Sequence, residues 1–198
     1  MNYCIIFDVF GVLLSKGFNS SAQSLSNILG KRIEEIKPVY ERWEIPFDLG
    51  SLSEERFWQH LQQDLNTNVN GELLNKVVLD SYYPLKGAIE LLQKYSNLTD
   101  VYLLSNTRRE WFEYLDNKYN ITKFVKKAFL SYQSGLLKPD LECYLYVIRE
   151  LGVQPNRIIF LDDSEENVHA ALSLGIKAHQ FSDSFTADRY LHDIIKLG

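Results

Sequence analysis

Apolar runs that end in polar residues recur along the chain and predict the strands of a sheet. Residues 3–8 form a continuous apolar run ending in Asp8, and residues 101–105 and 158–162 repeat the pattern. A run without polar alternation is typical of a central parallel strand that is covered on both faces. Residues 178–181 predict one further, weaker strand.

Stretches with helical periodicity lie between these runs, at residues 86–95, 109–119, 141–151 and 165–174. Gly152 and Gly175 fall where helix C-caps are expected. An alternation of strand and helix favours βαβ units. The pattern therefore predicts an α/β fold, a doubly wound, Rossmann-like parallel sheet.

Residues 16–83 break this alternation. They contain helical stretches at 21–29 and 54–65 and no convincing strand. We interpret the segment as a small helical cap inserted after the first strand, which leaves residues 1–15 and 84–198 as the core domain. We also expect the cap to move as a lid that excludes water. The aromatic residues of this segment either line the cap or pack its interior; they are Trp43, Phe47, Phe57 and Trp58.

Charge and composition exclude several classes of partner. The net charge is -5, and 45% of the residues are hydrophobic, enough for a real core. A mildly acidic chain has no electrostatic footprint for nucleic acid or an anionic membrane. The basic doublets at residues 31–32, 108–109 and 126–127 are interpreted as solvated surface.

The two cysteines, Cys4 and Cys143, are far apart in the sequence and have no CxxC spacing. This pattern indicates reduced core thiols in the cytosol. The N-terminus lacks the basic region of a secretory signal, and no apolar run approaches membrane-spanning length. We therefore expect a cytoplasmic protein.

Three polar clusters follow predicted strands: Asp8, residues 105–107 and residues 162–164. In an open parallel sheet, ligands bind beyond the carboxyl ends of the strands. Their coincidence indicates one common site, although each cluster alone is also compatible with a turn, and Ser164 with a helix N-cap.

Carboxylates that converge at one place repel each other, and a hard cation such as Mg²⁺ is the usual remedy. A carboxylate beside such a metal can attack phosphorus, while a hydroxyl, an amide and a lysine hold the phosphoryl oxygens. Lys138, in a loop before a predicted helix, is the natural lysine. From spacing alone, an ordinary surface lysine is the stronger interpretation.

The chain resembles the haloacid dehalogenase superfamily along nearly its whole length. Four segments carry the resemblance in the family's order, at residues 5–13, 103–107, 135–140 and 159–168. Residues 49–57 also resemble the helical cap that the family inserts after its first strand. The similarity is greatest to the small sugar-phosphatase branch that includes bacterial α-D-glucose-1-phosphate phosphatase.

The resemblance implies a role for each matching residue. Asp8 would be the nucleophile and a metal ligand, and the backbone carbonyl of Phe10 a second ligand. Asp163 would be the main distal ligand, with Asp162 beside it. The phosphate would be held by Ser105, Asn106 and Lys138, and Lys138 would also offset the charge of Asp8.

Position 10 departs from the family pattern. Most phosphatases of the family carry there an aspartate that protonates the leaving group, whereas this chain has Phe10. General acid–base help contributes roughly 10²- to 10⁴-fold in rate. The resemblance therefore implies a weaker enzyme or a substitute group, and Phe10→Asp should raise the rate if no substitute exists.

The sequence predicts a Mg²⁺-dependent phosphomonoesterase that acts on a small phosphorylated metabolite, such as a sugar phosphate, through an aspartyl-phosphate on Asp8. Two alternatives stay open because of Phe10. Haloacid dehalogenases also carry an aromatic residue there, although they need no metal and lack the Asp162-Asp163 pair. A degenerate member that only binds a ligand or a partner is the second alternative. The expected assembly is a monomer or a homodimer.

Overall fold

A five-stranded parallel sheet forms the centre of the molecule. The computed structural model describes residues 3–196 of the chain. The strands are β1 (Cys4–Phe7), β2 (Asp100–Ser105), β3 (Lys127–Leu130), β4 (Ile158–Asp162) and β5 (Lys177–Gln180), in the spatial order β3-β2-β1-β4-β5. Every neighbouring pair is parallel. The predicted α/β fold and its four predicted strands are confirmed, with end shifts of a residue or two.

β1 is the central strand, and its position fixes the site. Cys4 pairs with Asp100 of β2 on one side and with Ile158 of β4 on the other. All four residues of β1 are buried, as a strand covered on both faces requires. The carboxyl ends of β1, β2 and β4 therefore meet at one edge of the sheet.

Four helices, rather than the two predicted, lie between β1 and the rest of the sheet. They are α1 (Gly17–Leu29), α2 (Ile33–Asp48), α3 (Glu54–Asp64) and α4 (Gly71–Asp80). Side-chain caps start two of them: Ser53 accepts from the amide of Arg56, and Asn70 accepts from that of Glu72. The sequence did not predict α2 because Pro38 and Pro46 lie inside it, and proline normally interrupts a helix.

The remaining helices cover the faces of the sheet. They are α5 (Ala88–Ser96), α6 (Arg109–Tyr119), the short α7 (Ser131–Ser134), α8 (Leu141–Leu151), α9 (Glu165–Ser173) and α10 (Ser184–Lys196). The sequence predicted α5, α6, α8 and α9 but not α7 or α10. β3 was also missed, because it is a four-residue edge strand that begins with a lysine.

One hydrophobic cluster runs from the sheet into the inserted helices. Phe47 of α2 and Phe57 and Trp58 of α3 are buried against Trp111 of α6, with ring centroids 5.6 to 6.2 Å from the Trp111 ring. These aromatic residues pack the interior and do not line the cavity described below. Cys4 and Cys143 are both buried free thiols, as predicted.

Candidate active site

The three predicted polar clusters meet at the carboxyl ends of β1, β2 and β4. Carboxylate oxygens of Asp8, Asp162 and Asp163 all lie within 4.8 Å of one another. Asp8 continues β1 by one residue, since its amide donates to the carbonyl of Leu161 at 2.9 Å. Strand pairing therefore brings together residues that are about 150 positions apart in the sequence.

Asp8 is held by one oxygen only. Its Oδ1 accepts from the amide of Val9 at 2.6 Å and lies 2.9 Å from the ammonium of Lys138. Burial raises the pKa of Asp8 to about 7; the Lys138 charge opposes this rise and the Asp162 charge adds to it. Its Oδ2 accepts no hydrogen bond from residues 3–196, and the side chain lines a cavity. A carboxylate held in this way has one oxygen left for chemistry.

Lys138 is buried between two carboxylates. Its Nζ lies 2.9 Å from Asp8 Oδ1 and donates to Asp162 Oδ2 at 2.6 Å. Burial lowers the pKa of Lys138, but the charges of Asp8 and Asp162 more than offset this, so the net shift is upward. Lys138 is 5% exposed, which decides against the interpretation as an ordinary surface lysine.

Asn106 positions the Lys138 loop. Its side chain donates from Nδ2 to the carbonyl of Lys138 and accepts at Oδ1 from the amide of Lys138, both at 2.9 Å. Asn106 also lines the cavity. Ser105 is 1% exposed and is not among the residues that line the cavity. Of the two predicted phosphate-binding residues on this loop, only Asn106 therefore faces it.

Asp162 and Asp163 have different surroundings. Asp162 is fully buried, and its oxygens accept from Lys138, from the amide of Ser164 at 2.8 Å and from the amide group of Asn167 at 2.9 and 3.1 Å. Asp163 lines the cavity, and its Oδ2 makes an ion pair with the ammonium of Lys16, whose side chain is 56% exposed. Asp163 is thus the carboxylate of this pair that already holds a cation from the cavity side.

The turn after Asp8 brings backbone close to Asp163. Gly11 has φ +91°, and a Cβ there would overlap the Asp163 carboxyl group, so only glycine fits. The carbonyl of Phe10 accepts no hydrogen bond from the described residues. The Phe10 side chain packs on Tyr82 with the ring centroids 5.2 Å apart. Asp8, Phe10 and Asp163 all line the cavity, and carboxylate and carbonyl oxygens are the ligands that suit Mg²⁺.

Comparison with known families assigns the fold. A family model described as haloacid dehalogenase-like hydrolase matches residues 4–175. The chain belongs to this family. It is therefore a haloacid dehalogenase-like hydrolase, as its sequence motifs predicted.

Relatives of this hydrolase include named phosphatases. Flavin mononucleotide hydrolase 1 of Arabidopsis thaliana is 28% identical over 98% of this chain and 77% of that protein. A phosphorylated carbohydrates phosphatase of Thermotoga maritima is 27% identical over 87% of this chain and 82% of that protein. A haloacid dehalogenase family enzyme from Bacteroides thetaiotaomicron, solved with magnesium and inorganic phosphate, superposes with a TM-score of 0.77. Its identity is 21%, over 92% of this chain and 95% of that chain.

The inserted helices form the other wall of the hydrolase's cavity, which has a volume of about 390 Å³. Core and inserted residues line it together: Asp8, Phe10, Lys16, Lys37, Glu41, Glu44, Asp48, Tyr82, Asn106, Arg108, Lys138 and Asp163 are among them. No helix in residues 3–196 is both long and apolar enough to cross a membrane.

Arg108 corrects one of the sequence interpretations. The doublet at residues 108–109 was expected on a solvated face, but Arg108 is only 4% exposed. Its guanidinium donates to Asp48 Oδ1 at 2.5 Å and to Glu44 Oε1 at 2.9 Å, and lies 4.1 Å from the centre of the Trp111 ring. The expectation was wrong because both carboxylates come from α2, 60 and 64 positions earlier, where no local pattern points to them.

Proposed function

We propose that this hydrolase is a Mg²⁺-dependent phosphomonoesterase acting on a small phosphorylated metabolite. The observation that carries the proposal is the convergence of Asp8, Asp162 and Asp163 within 4.8 Å beside the buried ammonium of Lys138. The phosphatases among its relatives support the same reaction. Phosphoryl transfer needs positioning and charge stabilisation above all, and this cluster supplies both.

We propose that Asp8, the carbonyl of Phe10 and Asp163 hold the metal. The place of Asp163 on the cavity wall, where its Oδ2 already pairs with the exposed ammonium of Lys16, supports its part in the set. Asp162 was also expected to be a metal ligand. Because its oxygens already accept four hydrogen bonds, we propose instead that Asp162 fixes the side chains of Lys138 and Asn167. When bound, Mg²⁺ would supply Lewis-acid stabilisation of the phosphoryl charge.

Asp8 is the proposed nucleophile. Its Oδ1 is fixed by Val9 and Lys138, which leaves Oδ2 to attack phosphorus and form an aspartyl-phosphate. Lys138 and Asn106 would hold the phosphoryl oxygens from the cavity floor. A direct contact of Ser105 with phosphate stays a prediction, since Ser105 is 1% exposed and does not line the cavity.

Residues 16–83 are the proposed cap, and its four helices support this division. A cap that moves, a cytoplasmic location and a monomeric or homodimeric assembly all stay predictions. A sugar phosphate is the proposed type of substrate. Three carboxylates on the cap wall, Glu41, Glu44 and Asp48, can accept hydrogen bonds from substrate hydroxyl groups.

A dehalogenase is the second candidate, favoured by the aromatic residue at position 10. Its substrate, a 2-haloacid, carries a carboxylate into the cavity. Dehalogenases need no metal, whereas Asp8, Asp162 and Asp163 converge within 4.8 Å and call for a counter-cation, so the site favours the phosphate ester.

Hydrolysis of p-nitrophenyl phosphate and of a panel of sugar phosphates, measured with Mg²⁺ and with a chelator, tests the proposal. We expect turnover that needs Mg²⁺ and is absent in Asp8→Asn. Halide release from chloroacetate in the presence of the chelator would instead establish the dehalogenase.

Calorimetric titration tests the metal site separately from turnover. With a phosphate analogue present, Mg²⁺ should bind the wild-type protein and should not bind Asp163→Asn. Glu166→Gln is the matched control, because Glu166 is an exposed carboxylate three residues along the chain. Equal Mg²⁺ affinity of Asp163→Asn and the wild type would remove Asp163 from the site.

A further inference from the structure

A phosphatase with Phe10 at the acid position needs another group to move protons. The cavity offers few candidates, since no histidine of residues 3–196 lines it. Its carboxylates are Asp8, Glu41, Glu44, Asp48 and Asp163. Asp8 is the proposed nucleophile and Asp163 a proposed metal ligand, so three residues of α2 remain.

Two of these three are poorly suited to proton transfer. Only 11% of the Asp48 side chain is exposed, and Arg108 donates to its Oδ1 at 2.5 Å, so little of this carboxyl group can reach a substrate, although burial raises its pKa against the Arg108 charge. Glu41 has 54% of its side chain exposed and lies 3.6 Å from the ammonium of Lys37.

Glu44 differs from both. Arg108 donates to its Oε1 at 2.9 and 3.3 Å, which anchors the side chain. Its Oε2 accepts no hydrogen bond within the described residues, and the side chain lines the same cavity as Asp8 and Phe10. One oxygen therefore fixes Glu44 while the other is available to a substrate.

The surroundings of Glu44 favour its protonated form near neutral pH. Burial raises the pKa of Glu44 to about 7; the guanidinium of Arg108 lowers it, and the charges of Asp48 and Glu41 raise it. The hydroxyl groups of Tyr40 and Tyr82 belong to the same group of side chains around Arg108. A general acid is most effective when its pKa lies near the working pH.

We infer that Glu44 of the cap is the general acid and base that takes the place of the carboxylate missing at position 10. The inference rests on the proposed phosphatase function. In the first step the bond between phosphorus and the leaving oxygen breaks while Asp8 Oδ2 bonds to phosphorus, and the Glu44 proton passes to the leaving oxygen. In the second step water bonds to phosphorus, the aspartyl–phosphate bond breaks, and a water proton returns to Glu44.

The dependence of rate on the leaving group tests this role. An alkoxide needs a proton to leave, whereas p-nitrophenolate does not. In Glu44→Gln, kcat/KM for an alkyl phosphate should fall by about 10²-fold, and kcat/KM for p-nitrophenyl phosphate by less than about tenfold. The second step lacks its base for both esters, so a burst of p-nitrophenolate should precede slow turnover. Gln keeps an oxygen that can accept from Arg108, so the cap stays anchored.

Two variants separate catalysis from positioning. Glu41→Gln removes a charge one turn earlier on the same helix, and it should change both esters by the same factor. Phe10→Asp should restore alkyl phosphate hydrolysis in the Glu44→Gln background and add little to the wild type. If Phe10→Asp does not fold, the pH profile decides: the fall in alkyl phosphate kcat/KM above about pH 7 should be present in the wild type and absent in Glu44→Gln.

Each adverse result has a distinct meaning. An equal loss on both esters in Glu44→Gln would show that Glu44 only positions Arg108, and no loss on either would show that it has no part in the reaction. Both results overturn the inference while leaving the phosphatase intact. A wild-type protein that hydrolyses neither ester with Mg²⁺ would overturn the proposed function, and the inference with it.

Discussion

Lys138 and Arg108 are both buried cations that lie between two carboxylates, yet their surroundings differ. Lys138 bonds to Asp8 and Asp162 by a single ammonium, and Asp8 keeps one oxygen toward the cavity. Arg108 spans Glu44 and Asp48 with a planar fork and stacks over Trp111. Lys138 holds one oxygen of Asp8 as a point charge, whereas the planar fork of Arg108 fixes the side chains of Asp48 and Glu44 and leaves Glu44 Oε2 without a donor among residues 3–196. In the proposed mechanism, the first cation supports the nucleophile, and the second holds α2 and its proposed acid–base residue in place.

The largest effect should come from Asp8→Asn, which removes the proposed nucleophile beside Lys138. An amide is a poor nucleophile, so turnover of p-nitrophenyl phosphate should fall by at least about 10³-fold. Stability should be unchanged or higher, because the buried carboxylate already has a raised pKa of about 7. Thermal unfolding and initial rates check both parts.

Asp80→Asn, an exposed aspartate on α4, is the control and should change neither rate nor stability. Full activity in Asp8→Asn would eliminate the nucleophile role.

Arg108→Met tests whether Arg108 anchors α2 through its ion pairs. It leaves the buried Asp48 and the partly exposed Glu44 without their cation. Removing one partner of a buried ion pair costs about 3–5 kcal/mol. The free energy of unfolding in urea should drop by that amount. Arg109→Met is a matched neighbour whose side chain is 62% exposed, and it should change stability by less than about 0.5 kcal/mol. Similar losses in the two variants would mean that Arg108 does not anchor the cap.

A smaller loss of stability is expected for Ser131→Ala. This variant weakens the contact of Ser131 with Thr107 and with the end of α2 without removing a charge. The hydroxyl of Ser131 accepts from the amide of Thr107 at 2.8 Å and lies 2.6 Å from the carbonyl of Asp48. Removal of this hydroxyl leaves the buried amide of Thr107 without an acceptor, at a cost of about 1–3 kcal/mol.

Ser173→Ala, at an exposed position on α9, should cost less than about 0.5 kcal/mol in the same unfolding measurement. A Ser131 variant as stable as this control would indicate that the contact adds nothing.

The pH dependence of stability should show the smallest difference. The pKa of Glu44 rises from 4.5 to about 7 on folding, chiefly through burial. A carboxyl group with a raised pKa favours the folded state below its unfolded pKa, and this contribution is lost as the pH rises through the folded value. The melting temperature of metal-free wild type should therefore fall between about pH 5 and 7.5, and fall less in Glu44→Gln. The same slope in both proteins would mean that Glu44 has an ordinary pKa in solution.

The two clusters also differ in how far the sequence reveals them. Asp8 and Asp163 follow apolar runs, and parallel strands bring such ends to one edge. Lys138 was identified only through the resemblance to the family, because spacing alone favoured a surface lysine. Arg108 lies beside an exposed arginine, and its two partners on α2 are 60 and 64 positions away. That helix contains Pro38 and Pro46. Contacts between residues so far apart in the sequence produce no periodic pattern of apolar and polar positions. The pattern therefore predicted the core half of the cavity and missed the cap half.

The crossing point between core and cap has a consequence for protein engineering. The proposed cap begins after Ser15 and ends at Tyr83, and the Ser15 amide donates to the Tyr83 carbonyl at 2.9 Å. A short glycine link could therefore close the gap if the intervening helices were cut out. The same excision would uncover Trp111, which is 1% exposed and packed against Phe47, Phe57 and Trp58. The inserted helices can thus be removed without stretching the chain, but their removal would expose an apolar side chain to solvent. A minimal core would therefore need a polar replacement for that tryptophan.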